Sequence, residues 1–454
     1  MRGKKVYMVG IGGIGMSALA QLFAGQGAVV LGSDRSEQPT TKLLREKGVD
    51  VLIGHSASHV PEDTDVLVYS DAVVEGSDGY AERVRGRELG VPEMNYFEAL
   101  GRAAEGKRVV SVSGTNGKTT TTAMIAKILI DAGCDPTVVV GSIVSEWGSN
   151  FRPSTHSGKS HSKTDSESSQ DIFVVEACEY RAHFLNFHPE VFVITNIELE
   201  HTDYYTSLSH IEQTFGEAIA NMVPQGTLVA NTQDISVKRA IASCPEELEG
   251  GADTGRSVVD YTKEQVPELL LPGEFNRDNA RAAKAAAQTI APHIAEGRID
   301  ASLATFRGTW RRFEYKGVTR GGATLYDDYA HHPTAVAKTI AAAREKFPNK
   351  KIAVIFHPHL YSRTRDLWAG FVDALASADE VYILPVFAAR EQHDPSVSAE
   401  ALAQAISNQG TPARSLSGLD GAANVLASLS SDTVAFTMGA GDVYRASEQA
   451  LREK

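Results

Sequence analysis

The stretch VVSVSGTNGKTTTT, residues 109–122, decides how the chain is read. A β-branched run leads into a glycine-bearing turn. The turn leads into TTTTAMIAKILIDAG, where Met124, Ile125, Ile128 and Leu129 recur at helical spacing and Gly133 stands as the C-cap. Such a turn between strand and helix aims backbone N–H groups and the positive end of the helix dipole at an anion. Lys118 adds a point charge for β- and γ-phosphates, and Thr119 offers a hydroxyl to Mg2+. The common pattern G-x-x-x-x-G-K-[ST] would place its first glycine at Val112, yet the extra glycine here is Gly114. The alternative is an ordinary strand–helix turn carrying a surface lysine.

Outward from this loop, short β-branched runs alternate with helix-period stretches along the whole chain. They are KVYMVG, AVVLGSD, DVLVYSD, RVVSVSG, DIFVVEA, VFVITN, KIAVIF, EVYILPV and TVAFTMG. That alternation predicts an α/β protein built on parallel sheets. The runs fall into three blocks: residues 1–106, closed by the polar GRAAEGKR; residues 107–306; and residues 307–454, opening near RGTWRRFE. A chain of 454 residues fits about three domains. The serine-rich run 152–170 has no apolar anchor and predicts a mobile surface insertion, with a flap over the site as the alternative.

Composition excludes several classes. A net charge of -13 argues against a nucleic-acid binder, which would show a basic face. The three cysteines, Cys134, Cys178 and Cys244, are odd in number and far apart. That fits a reducing compartment and rules out a disulfide scaffold or Cys-rich zinc site. The opening MRGKKVYMVGIGGIG is too glycine-broken for a signal peptide, and no apolar run approaches a membrane span. The expectation is a soluble, cytoplasmic protein with small-molecule partners, no nucleic acid and no membrane.

Further motifs sit at strand ends. GIGGIG contains G-x-G-x-x-G as Gly10, Gly12 and Gly15, after a strand and before the helix-period MSALAQLFAGQG, with Asp34 placed to meet a ribose hydroxyl. A dinucleotide or a UDP-sugar satisfies it equally, since the physics requires only a diphosphate at a helix end. Glu176 closes DIFVVE and His201 follows VFVITN. Together they suit Mg2+ beside the phosphates, or His201 is a satisfied loop histidine. In LLPGEFNRDNARAAKAAAQ, Asn276 and Asn279 match a purine edge or cap the helix. Arg311 and Arg312 in WRRFE are candidates to neutralise transferring phosphate, and Asp328 in LYDDYAHHPTA to bind ribose. His331 and His332 lack a third ligand at zinc spacing. In HPHLYSRTRD, His357, His359, Arg363 and Arg365 approach one strand end, where arginine clamps a small carboxylate.

Taken in order, GIGGIGMS, GSD, G-T-x-G-K-T-T, NIELEHTDYY, RRFE and DDYAHHP resemble the Mur ligase family, the ATP-dependent amide-bond ligases of bacterial cell-wall precursor synthesis. The altered front of the phosphate loop is this family's own form. EACEYRAHFL, HPHLYSRTRDL and MGAGD are most similar to its alanine-adding branch. The resemblance implies an N-terminal Rossmann-like UDP-binding domain, a central P-loop-type ATPase domain and a C-terminal Rossmann-like domain that closes over the site. It implies an acid–amino-acid ligase, a monomer or homodimer, using ATP and Mg2+ with Mn2+ as substitute. That enzyme would join L-alanine to the lactyl carboxylate of UDP-N-acetylmuramate through an acyl phosphate. The alternative is addition of a preformed tripeptide in cell-wall recycling.

By carry-over, Gly12, Gly13, Ile14, Gly15, Asp34 and Ser70 would surround UDP. Gly114, Thr115, Asn116, Gly117, Lys118, Thr119, Thr120, Asn279, Arg312 and Asp328 would bind ATP, with Lys118, His201 and Arg312 catalytic. Thr119, Glu176 and His201 would hold the metal. Tyr329, His331, His359 and Arg363 would meet the alanine. Three positions depart from the branch: Asn116 stands where it typically has histidine, Leu360 where an arginine is common, and the 152–170 run is long. No lysine lies between residues 202 and 224, which removes the carbamylated lysine of sister ligases.

Overall fold

The structure, a computed structural model, describes residues 1–155, 171–202, 204–244, 255–389 and 391–452. The serine-rich run therefore lies outside the described residues from 156 onward. Every β-branched run named above forms a strand, and each of the three blocks contains one sheet.

The first sheet is wholly parallel: β1 (Lys5–Val9), β2 (Val29–Asp34), β3 (Asp50–Ile53), β4 (Val66–Tyr69) and β5 (Glu93–Asn95), in the order β3-β2-β1-β4-β5. The order reverses between β1 and β4, which opens a crevice at their carboxyl ends. The GIGGIG turn follows β1 there and enters the helix Ile14–Gly25, while Ser70 follows β4.

The central sheet holds β6 (Arg108–Ser113), β7 (Thr137–Val144), β8 (Ser149–Arg152), β9 (Ile172–Glu176), β10 (Val191–Ile194), β11 (Thr227–Ala230) and β12 (Ser257–Asp260). Their order is β12-β11-β10-β6-β9-β7-β8, parallel except for the β7–β8 hairpin. Strand β6 is buried from Val109 to Ser113, so its apolar run is continuous rather than alternating, as a strand covered on both faces requires. It delivers the phosphate loop to the middle of the sheet, and Gly133 closes the following helix, Lys118–Asp131, at φ +85°.

Contacts divide the chain into two units, residues 1–268 with 278–306, and residues 269–277 with 307–454. In the first unit the two sheets share one apolar core, running from Val6, Leu19 and Leu100 to Val175, Phe192 and Phe215. The helix Tyr96–Ala104 joins them. Asn95 caps it by accepting from the N–H groups of Phe97 and Glu98 (both 2.9 Å), and Glu98 returns a bond to the Asn95 N–H (2.8 Å).

The second unit contains β13 (Glu314–Val318), β14 (Thr324–Asp328), β15 (Lys351–Phe356), β16 (Glu380–Ile383), β17 (Ala413–Ser415) and β18 (Thr433–Met438), ordered β13-β14-β18-β15-β16-β17 with only β13 antiparallel. Apolar clusters cover both its faces. Here the two arginines of WRRFE part company. Arg311 is 2% exposed: its Nε donates to Asp327 Oδ2 (2.7 Å), and its terminal nitrogens donate to the carbonyls of Gly441 (2.8 Å) and Gly439 (2.6 Å). The phosphate role considered for Arg311 therefore does not hold, because its guanidinium is spent inside the protein. Replacing Arg311 with Leu removes the counter-charge of the Asp327 carboxylate and the donors to two carbonyls, and should cost about 3–5 kcal/mol in urea unfolding. Arg312→Leu, at a half-buried neighbour, should cost less than about 1 kcal/mol.

Candidate active site

The carboxyl ends of β6, β9 and β10 bring together residues far apart in sequence. Glycine is required at both ends of the phosphate loop. Gly114 (φ +127°) and Gly117 (φ +90°) have left-handed backbones, and side chains there would run into Thr195 and Asn279. The segment after β10 staples the loop in place. Thr115 N–H donates to the Asn196 carbonyl (3.0 Å), Asn116 N–H to Asn196 Oδ1 (3.0 Å), and Thr195 Oγ1 to the Asn116 carbonyl (2.6 Å). The Asn116 Nδ2 amide is buried without a protein partner, an unspent donor inside the loop.

Lys118 begins the helix and folds back over the loop. Its Nζ donates to the carbonyls of Gly114 (2.5 Å) and Thr115 (3.3 Å) and to Glu179 Oε1 (2.9 Å). Burial opposes the charge on Lys118, but the carboxylates of Glu179 and Glu200 outweigh it and hold the ammonium above the ordinary lysine range. Thr119 and Thr120 are buried in the first helical turn, and Thr119 Oγ1 donates to Glu176 Oε1 (2.9 Å).

The expected metal ligands arrive in two groups. Thr119 and Glu176 are in direct contact. His201, held at φ +55°, belongs instead to a cluster with Glu179 and Glu200, whose ligand atoms all lie within 4.8 Å of one another. Glu179 Oε2 is buried with no hydrogen-bond partner. Two buried carboxylates and an imidazole, one oxygen unsatisfied, plus a nearby hydroxyl–carboxylate pair, form a donor set that fits a hard divalent cation. Sequence reasoning missed Glu179 and Glu200. The repeated acid of EACE and the acid preceding His201 were the available signals, but side-chain direction in the turn after Glu179 follows no period. Arg181 (φ +50°) and Ala182 (φ +57°) both take left-handed backbones there.

A cleft of about 310 Å³ adjoins this group, lined by Gly13, Ile14, Gly15, Ser70, Gly141 and Glu176 among others. Tyr96 closes one side: a Cβ at Gly15 would sit 2.7 Å from its ring. Cys178 also lines the cleft, and burial, reinforced by Glu179, pushes its thiol up to about 12, so it is a neutral wall. Asp34, expected at a ribose, is buried and accepts from the Gly12 N–H through Oδ2 (2.8 Å). Its visible work is to shape the glycine turn. Asn279 neither caps its helix nor stands clear: its Oδ1 accepts from Thr121 Oγ1 (3.2 Å) beside Gly117.

In the second unit, β14 and β15 present the remaining candidates. Asp328 is buried, and its two oxygens accept from the N–H groups of Phe313 (2.7 Å) and Ala330 (2.8 Å). Burial raises its carboxyl above the usual range, against the pull of Arg312. The guanidinium of Arg312 lies 5.2 Å from the Tyr329 ring centroid. Tyr329 meets His331 edge-on (5.2 Å), His331 meets His359 (6.5 Å), and His359 Nδ1 lies 3.2 Å from Arg363 Nη1. The four residues expected at the amino acid thus form one chain of contacts. His332 is not among them; it caps the helix Pro333–Lys346.

The Lys118–Glu179 pair has a pH signature. Because the folded lysine titrates above its ordinary value of about 10.4, the pair contributes fully below about pH 10 and is lost as pH rises through the folded value. The difference in melting temperature between wild type and a Lys118→Met/Glu179→Gln variant should stay constant from about pH 7 to 10 and shrink only above that.

The "Mur ligase family, catalytic domain" matches residues 5–108, the "Mur ligase middle domain" residues 112–287, and the "Mur ligase, glutamate ligase domain" residues 311–441. A UDP-N-acetylmuramate–L-alanine ligase of Desulfitobacterium hafniense is 38% identical, with 98% of this chain and 99% of the relative aligned. Its counterpart in Clostridium acetobutylicum is 35% identical over 99% of this chain and 97% of its own. Among solved structures, UDP-N-acetylmuramate–alanine ligase from Thermotoga maritima superposes with a TM-score of 0.77 at 27% identity, covering 99% of this chain and 98% of that one. Matched along its full length by relatives well above 30% identity, the chain belongs to the Mur ligase family.

Proposed function

We propose that this chain joins L-alanine to the lactyl carboxylate of UDP-N-acetylmuramate, driven by ATP and passing through an acyl phosphate. The position of Glu176 carries the reading. One of its oxygens takes the Thr119 hydroxyl of the phosphate loop, while the residue itself lines the cleft that begins at the GIGGIG turn. A substrate held by its diphosphate at that turn extends its acid toward the nucleotide. The substrate's identity comes from relatives 33–38% identical along the whole chain, each named for this reaction.

A carboxylate is a poor electrophile, so its oxygen first attacks the γ-phosphorus of ATP, and ADP leaves. Gly114, Thr115, Asn116, Gly117 and Thr120 shape the phosphate cradle, with Asn279 bracing it. Lys118 and Arg312 are assigned to the charge on the transferring oxygens. Thr119, Glu176 and His201, joined by Glu179 and Glu200, are the residues that would hold Mg2+ or Mn2+. When bound, such a cation withdraws charge from the β- and γ-phosphate oxygens. Asp328 is assigned to the nucleotide. On the substrate side, Gly13, Ile14, Gly15 and Ser70 line the UDP cleft, and Gly12 and Asp34 set the form of its turn. Alanine's neutral amine attacks the acyl carbon, the nitrogen gives up a proton to solvent or to the departing phosphate, and the tetrahedral intermediate expels phosphate to leave an amide. Arg363 is assigned to alanine's carboxylate, with Tyr329, His331 and His359 around it.

We also place the reaction in the cytoplasm. Among the described residues no helix is long and apolar enough to cross a membrane, and Cys134, Cys178 and Cys244 are unpaired thiols.

ADP formation should be measured with UDP-N-acetylmuramate and a panel of amino acids beside the preformed tripeptide. L-alanine is expected to drive it; no ATP consumption with both substrates present, or preference for the tripeptide, sinks the proposal. Lys118→Ala should cut phosphate release at least about a hundredfold. Glu179→Gln should raise the Mg2+ concentration for half-maximal rate by about 10–100-fold.

A further inference from the structure

We infer that Gly141 is a positioning residue that couples the UDP-substrate cleft to the phosphate loop through Glu176. The inference rests on the function proposed above.

Strands β7 and β9 run parallel, with Val139 paired to Val175. That register carries β7 past the end of β9, so Gly141 meets the side chain of Glu176 instead of a backbone partner. The Gly141 N–H donates to Glu176 Oε2 (2.6 Å). A Cβ at Gly141 would stand 2.7 Å from each carboxylate oxygen and 2.8 Å from Cδ. Unlike Gly114 and Gly117, Gly141 is not among the residues with positive φ, so a side chain there would displace the Glu176 carboxylate rather than strain the backbone. The two oxygens of one carboxylate are therefore committed in different directions, Oε1 to Thr119 in the phosphate loop and Oε2 to the strand that walls the cleft.

That strand is tied to the substrate turn as well. Val139, Val140 and Gly141 line the cleft opposite Gly13, Ile14 and Gly15, and Asn150 on the paired strand β8 donates through Nδ2 to the Ile14 carbonyl (2.5 Å). A molecule filling the cleft fixes the β7–β8 hairpin and hence the direction of the Glu176 carboxylate. A metal–nucleotide drawing on Thr119 and Glu176 fixes the same carboxylate from the other side. A carboxylate re-aimed by one ligand is met already re-aimed by the other, so each tightens the other by the same factor.

The test is calorimetric binding of UDP-N-acetylmuramate with and without Mg2+ and a non-hydrolysable ATP analogue. Wild type should bind the UDP-substrate about tenfold more tightly when the nucleotide is present. In Gly141→Ala the added methyl displaces Glu176. In Glu176→Asp the shortened side chain reaches Thr119 or Gly141 but not both. In both variants the coupling factor, the ratio of the two dissociation constants, should fall to about one. Two variants keep the test decisive if one fails to fold, which a melting curve reports. Coupling retained in either folded variant, or absent from wild type, overturns the inference. Failure of wild type to bind either ligand overturns the proposed function itself.

Discussion

An ammonium largely withdrawn from water and a carboxylate wholly withdrawn from it hold the phosphate loop of the first unit. Lys118 faces Glu179 at 2.9 Å where the central sheet ends, and its remaining donors reach back to the carbonyls of its own loop. A buried charge without its partner is costly, so the two residues constrain each other: the lysine needs the turn that presents Glu179, and the turn needs the lysine. The loop is therefore already shaped before any anion arrives. A phosphate exchanges places with carbonyl oxygens rather than ordering a slack chain, which spares binding energy that would otherwise go into folding the loop.

Absence of a side chain is the second constraint. At Gly114 and Gly117 the reason is partly conformational; at Gly12, Gly15 and Gly141 it is proximity. Gly12 has Asp34 and Thr41 where a Cβ would go, Gly15 has the Tyr96 ring, and Gly141 has Glu176. Gly15 and Gly141 line the cleft between the two sheets of the first unit. There the backbone itself approaches the functional side chains, and a single methyl group is enough to move them.

The parts of this arrangement legible in the sequence are those that local chemistry dictates. The α/β alternation, the G-T-N-G-K-T-T turn and the placement of Glu176 and His201 at strand ends follow from short-range pattern. So do the strand-end positions of Tyr329, His331, His359 and Arg363, and the structure then joins them in contact. What pattern could not convey is direction. Asp34 has the spacing of a ribose ligand but turns inward to hold Gly12. Arg311 and Arg312 are neighbours in sequence, and only tertiary packing sends one into the core. Glu179 and Glu200 converge on His201 in segments of irregular backbone, where Arg181, Ala182 and His201 itself all have positive φ. Gly141 carries no motif at all, since its importance comes entirely from what stands next to it.

The unbroken apolar core of the first unit has a consequence for how the protein can be divided. Leu100 and Ala103, on the helix that ends the first block, are buried in the same cluster as Phe184, Phe187 and Phe215 of the second. A fragment ending at residue 106 would expose the face of its helices that packs on the second block, and the remainder would lose the surface that covers Phe184 and Phe187. The nucleotide half and the sugar half of this unit are thus joined as one melting body, although their sheets look like independent modules.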